Sequence, residues 1–118
     1  MKFVSIILAA LLAGEFLFLG MGKLAAITPM RERAEHLGFT TTAYRIIGAL
    51  EVAAAVGVLA GLASPSVGIA AGIGLTVLMT GAMAAHLRNR DGAMEIAPAV
   101  VTGVVAVAYS AALAGAIL

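Results

Sequence analysis

The chain contains no cysteine and no tryptophan, only three prolines, and few charges: 11% of its 118 residues. The missing cysteines exclude disulfides, thiolate metal sites, CxxC redox chemistry and cysteine nucleophiles together, while leaving the redox compartment open. The charges that exist nearly cancel, at +1 net. No basic stripe interleaved with aromatics is present, so nucleic acid is not an expected partner. No P-loop, dinucleotide fingerprint, Ser–His–Asp arrangement or metal-spaced His/Asp/Glu cluster can be read, and no catalytic constellation follows. His36 and His86 are the only histidines; with no close acids on one helix face they make a poor metal site, and His36 reads as a solvated surface residue.

What the chain has in excess is apolar surface. Hydrophobic residues make up 63% and the mean hydropathy is +1.12, against roughly 45–50% apolar in a soluble domain. A spanning helix needs about 20 mainly apolar residues, and four segments qualify: residues 3–27, 43–63, 66–87 and 96–118. The expected fold is an all-α, polytopic membrane protein: one domain over residues 1–118, forming a bundle of four transmembrane helices. The opening MKFVSIILAALLAG is also similar to a signal peptide, but the apolar run continues to Ile27, long enough to span.

Punctuation supports these limits. Ser64-Pro65 places a capping hydroxyl before a first-turn proline. Asp91-Gly92 is a turn signal, and Pro98 falls in the expected first turn of the fourth span. Between the first two spans, Thr28-Pro29 opens a polar stretch that Gly38 can close. Met30, Ala34 and Leu37 repeat at helical spacing there, predicting a short amphipathic surface helix in loop 1–2. Lys23, Arg31, Arg33 and Arg45 flank that loop, Arg88 and Arg90 lie in loop 3–4, and the opposite side has only Lys2. Positive-inside reasoning puts both loops in the cytoplasm and both termini outside.

Small residues dominate the spans. Gly57 and Gly61, extended by Ala53, and Gly68 and Gly72 form small-xxx-small patterns that allow close helix packing or a homodimer. Gly72, Leu75, Met79, Met83 and His86 share a face of the third span, a methionine stripe suited to adaptable packing. Thr102 and Tyr109 share a face of the fourth, with hydroxyls expected to bond backbone or neighbouring helices.

Ionisable residues inside spans are costly, on the order of 2.5–3.5 kcal/mol each at mid-membrane, and so mark positions of interest. Glu15 lies about 18 Å from the cytoplasmic end of its span and Lys23 about 6 Å from it, close enough to snorkel. Their separation along the helix, about 12 Å, precludes a direct pair. Glu51 lies roughly 12 Å into the second span; its partner is expected on another helix, with Lys23 and His86 the candidates. Lys23, Arg45, Glu51, His86 and Arg88 thus form a one-sided polar cluster, with Glu15 deeper. Such a cluster either neutralises itself and fixes helix register, or lines a cavity for a small amphipathic molecule or a proton relay.

The segments FLFLGMGKL (16–24), LGF (37–39), RIIGALE (45–51), LMTGA (78–82), HLR (86–88) and Pro98 appear in an order that resembles the DoxX-like family of small four-helix membrane proteins. The G-x-x-K-L, R-x-I-G-x-x-E and A-x-x-x-H-L pieces together carry the resemblance; Glu15 is less clearly part of it. The resemblance implies a bacterial cytoplasmic-membrane protein linked to quinone-coupled or oxidative-stress redox systems, with quinone as the candidate cofactor. It carries over no cofactor-binding residue. Two other functions compete. A first-span glutamate followed eight residues later by lysine is similar to small multidrug exporters, which would make Glu15 the proton and cation site; the lack of tryptophan and the R-x-I-G-x-x-E stretch speak against it. The small-residue faces also suit a non-catalytic scaffold that binds another membrane protein.

Overall fold

The computed structural model describes residues 2–117. It contains five helices: α1 (Lys2–Leu24), α2 (Thr28–Leu37), α3 (Thr41–Ala60), α4 (Pro65–Arg88) and α5 (Ala93–Ile117). All but α2 are long and apolar enough to cross a membrane. The expected spans are recovered with ends shifted by a few residues; Leu118, the expected end of the last, lies outside the described residues.

The spanning helices form a ring in which α1 packs on α3 and α5, and α4 packs on the same two neighbours. The α1–α3 and α4–α5 interfaces are the most extensive. Leu12 and Phe16 of α1, Val58 of α3, Leu75 of α4 and Tyr109 of α5 fill the centre. Phe3, Phe18, Ile73, Val101 and Val104 point outward, an inverted surface that water would not tolerate and lipid does.

Glycines set the approach of the backbones. A Cβ on Gly48 would lie 2.6 Å from Lys23 Cβ and 2.8 Å from the Gly20 carbonyl oxygen, so α1 and α3 are in near-contact there. Gly61 and Gly68 abut each other where α3 turns into α4, with the Tyr109 hydroxyl against both. That hydroxyl donates to the Val58 carbonyl. Gly57 faces Ala71, and Gly72 faces Ser110. The small-xxx-small patterns are therefore used within the chain.

Three helices end alike on one end of the bundle. After α1, Ile27 N–H bonds the Gly22 carbonyl and Ala26 N–H bonds that of Lys23; after α2, Phe39 bonds Ala34 and Gly38 bonds Glu35; after α4, Asp91 bonds His86 and Arg90 bonds Leu87. Each is a Schellman closure, which needs one residue at positive φ. Gly38 fills that position as expected (φ 81°). Ala26 (φ 51°) and Arg90 (φ 57°) fill the other two without being glycine, which gives the sequence no signal.

Other caps differ from expectation. Ile27, not Thr28, precedes α2, and the Ser64 side chain makes no capping bond. The side-chain cap is Thr40, whose Oγ1 accepts from Ala43 N–H at 3.0 Å; α3 therefore starts earlier than its apolar run. Pro98 lies in the second turn of α5, because α5 begins at Ala93 rather than Ile96. The surface helix α2 forms as expected, burying Met30 and Ala34 against Tyr44 with Arg31, Glu32, Arg33 and Glu35 exposed.

Gly48→Ala is expected to lower the thermal midpoint in detergent, at a cost of about 1–3 kcal/mol. Gly14→Ala is the control: its added Cβ meets nothing within 4 Å, so the midpoint stays level or rises.

Candidate functional site

The close approach of α1 and α3 places the charged pieces of their sequences against each other. On α1, Gly20 and Lys23 are three residues apart; on α3, Arg45, Gly48 and Glu51 step by three. These spacings set Lys23 about 60° from Gly20 on α1, and set Gly48 midway between Arg45 and Glu51, which point about 120° apart on α3. With no side chain on Gly48, the Lys23 stem lies across α3 and its Nζ reaches Glu51 Oε1 at 2.7 Å. Both residues are buried, at 7% and 2% exposure. Lys23 also lies 5.1 Å from the centre of the Tyr44 ring, a cation–π contact, and Tyr44 stacks on Phe39. Lys23 therefore turns inward rather than snorkelling to the surface. Glu51 Oε1 has no hydrogen-bond partner beyond this ionic contact among the described residues. Of the two candidates for Glu51, Lys23 is the partner.

Arg45 and Arg88 do something else. Arg45 Nε donates to the Leu24 carbonyl at 3.0 Å, and Arg88 Nη2 donates to the Leu37 carbonyl at 3.2 Å. Each satisfies the last carbonyl of a helix, where a cation also meets the negative end of the helix dipole. Both side chains are exposed; they tie helix ends together.

A cavity of about 260 Å³ opens beside the ion pair. Lys23, Glu51, Tyr44 and His86 are its polar lining; Phe39, Ile47, Leu78 and Met79 are among its apolar walls. Leu37, Tyr44 and His86 also line a second, more open cavity of about 590 Å³ under α2, together with Arg33, His36 and Glu95. These three residues stand between the ion pair and the polar end of the bundle.

His86 is held by a residue the sequence reading treated as punctuation. Its Nδ1 lies 2.6 Å from Asp91 Oδ2, while His36 Nε2 lies 3.0 Å from Asp91 Oδ1 and Asn89 Nδ2 donates to that same oxygen at 3.1 Å. His36 is thus engaged by a carboxylate 55 positions away, not merely solvated. The hydrogen bond from His86, helped by those from His36 and Asn89, holds the Asp91 carboxyl below its usual range despite opposing desolvation. The only sequence hint was Asp91 lying five residues beyond His86, a spacing that a Schellman closure folds back on itself. Tyr44, adjacent to Arg45, was likewise missed; an aromatic at the start of an apolar span carries no signal of its own.

Glu15 is elsewhere. It accepts a hydrogen bond from Thr102 Oγ1, at 2.9 Å to Oε1, across the α1–α5 seam. Its side chain is exposed and does not line the cavity of Lys23 and Glu51. No group of three or more His, Asp or Glu among the described residues is placed to hold a metal.

A family model described as the DoxX-like family matches residues 7–109. No curated protein and no solved structure matches the chain.

Lys23→Met is expected to destabilise the protein by about 3–5 kcal/mol, because it leaves a buried carboxylate unpaired; Lys23→Met with Glu51→Leu restores most of the loss. Thermal melts in one detergent compare the two. For Asp91→Asn the sign is set by its lowered folded pKa: the unfolded chain takes up the proton first on acidification. The stability Asp91 contributes is therefore present above about pH 3.8, its ordinary value, and is lost as pH falls further. Wild type should melt above Asp91→Asn at pH 7 and at pH 5, with the gap closing only below pH 4.

Proposed function

The chain belongs to the DoxX-like family, and we propose that this integral membrane protein binds the head group of a quinone, or of a similar small amphipathic molecule, between Lys23, Glu51 and His86. Its place would be in a membrane redox or oxidative-stress system. The observation that carries the reading is the cavity itself: a buried ion pair at one wall, a carboxylate-held imidazole at another, and apolar side chains between them. Its 260 Å³ is below the roughly 300–1,000 Å³ of drug-sized pockets, which suits a head group rather than a whole long-chain ligand.

The donors and acceptors suit both redox forms of such a ring. Glu51 is close to one ammonium hydrogen of Lys23, which has two more to offer a carbonyl oxygen. With Nδ1–H of His86 given to Asp91, the neutral ring keeps Nε2 as an acceptor for a hydroquinone hydroxyl. Protons exchanged at that nitrogen have Asp91 and His36 between them and the surface. The end that carries Lys23, Arg31, Arg33, Arg45, Arg88 and Arg90 is the cytoplasmic one on this reading, by the excess of basic residues over the lone Lys2 opposite.

The exporter reading centres on Glu15. That side chain bonds Thr102 outside the cavity, so one site does not unite it with Lys23 and Glu51, and this reading is not preferred.

Organic extraction of the purified protein followed by mass spectrometry should recover quinone, and a short-chain benzoquinone should raise the thermal midpoint. Lys23→Met with Glu51→Leu should keep its fold yet bind that quinone about tenfold or more weakly, the scale of one lost charge-assisted hydrogen bond. Finding no extracted quinone and no thermal shift on adding it rules the reading out.

A further inference from the structure

The cavity beside Lys23 and Glu51 has one wall that faces lipid. Two of its lining residues, Val77 and Gly81, lie one turn apart on the outward face of α4. Val77 is 65% exposed. Gly81 is also exposed, and a Cβ built on it meets nothing within 4 Å. Counted from Arg88, Gly81 is about 10 Å and Val77 about 16 Å along α4, depths that belong to the hydrocarbon rather than to water.

The gap follows from how α3 and α4 meet. They touch tightly near their short connection, where Gly61 abuts Gly68 and Gly57 faces Ala71. Towards the polar end the cavity separates them, with Ile47 and Glu51 on one side and Leu78 and Ala82 on the other. No side chain at Gly81 closes that separation. Beyond Val77 the surface continues into a second hollow of about 380 Å³ between α4 and α5, lined by Ile73, Thr76, Val77 and Val107 among others. The Thr76 hydroxyl there donates to the Gly72 carbonyl at 2.8 Å, so the hollow is nearly all apolar in what it offers.

We propose that the gap at Gly81 and Val77 is a lateral portal, through which the cavity takes the head group of a membrane-dissolved amphiphile whose apolar chain stays outside, between α3 and α4 and along the hollow beyond Val77. The inference rests on the head-group reading given above and adds the substrate class: a lipid with a polar, hydrogen-bonding head and a long hydrocarbon or isoprenoid chain. A ligand buried whole would need more than the volume available. A water-soluble one would have no use for an opening at this depth: water reaches the polar end, where Leu37, Tyr44 and His86 border both this cavity and the more open one under α2.

The test compares two benzoquinones with the same ring, one without a side chain and one with a decyl chain, titrated into the full chain in lipid nanodiscs. Gly81→Trp places an indole at the gap, from a position where an added Cβ meets nothing within 4 Å. It should weaken the decyl quinone at least tenfold and change the chainless ring less than twofold. Gly14→Trp is the control: it lies on α1, its added Cβ meets nothing within 4 Å and it lines neither the cavity nor the hollow, so both ligands should bind as in wild type. Equal weakening of both ligands by Gly81→Trp, or of neither, overturns the portal and leaves the head-group reading standing. Wild type that binds neither ring removes the head-group reading, and the portal with it.

Discussion

The near-contact of two backbones, α1 at Gly20 and α3 at Gly48, is the constraint from which the rest of the polar end follows. Where two spanning helices come that close, no side chain fits between them, and the long side chains that flank the contact must run across the partner helix. Lys23 runs towards Glu51, and Arg45 runs back to the end of α1. An ammonium and a carboxylate that would each be prohibitive alone in lipid are stabilised as a pair. The lysine is further held over the Tyr44 ring. Tyr44 in turn is the seat of the surface helix, so packing of α2 and placement of the charge pair are linked through one aromatic ring.

The other half of the polar end is organised by a carboxylate. Asp91 ties α2 to α4 through two imidazoles, and Arg88 ties the same two helices through the Leu37 carbonyl. Together with Arg45 these contacts satisfy helix termini with charged side chains rather than with water. A short, mostly polar α2 could not hold its position on two apolar residues alone; Met30 and Ala34 supply contact, and Asp91 and Arg88 supply direction.

Much of this was legible in the sequence. Apolar length gave the four spans, and the Met30, Ala34 and Leu37 spacing gave the surface helix. The cost of intramembrane charge marked Glu15 and Glu51, and Lys23 and His86 were the expected candidates for a partner of Glu51 on another helix. What was not legible was of two kinds. Positive φ at Ala26 and Arg90 is imposed by helix closure, and neither residue type announces it. The junction of His36 with Asp91 spans 55 positions, and only the three-dimensional meeting of two loops reveals it. Lys23 lies in the last turn of α1, nearer the helix end than expected, and its direction depends on Gly48, a residue on another element. Glu15 stood apart in the sequence pattern, and in the structure it bonds Thr102 rather than lining the cavity.

Deeper than Glu51, the bundle is solid. Leu12, Phe16, Val58, Leu75 and Tyr109 close the centre, so the cavity ends blind. A head group held at Lys23 and Glu51 would therefore exchange protons only towards the end of the bundle that carries Asp91 and His36. The far end of the bundle, closed by that packing, would take no part in the exchange.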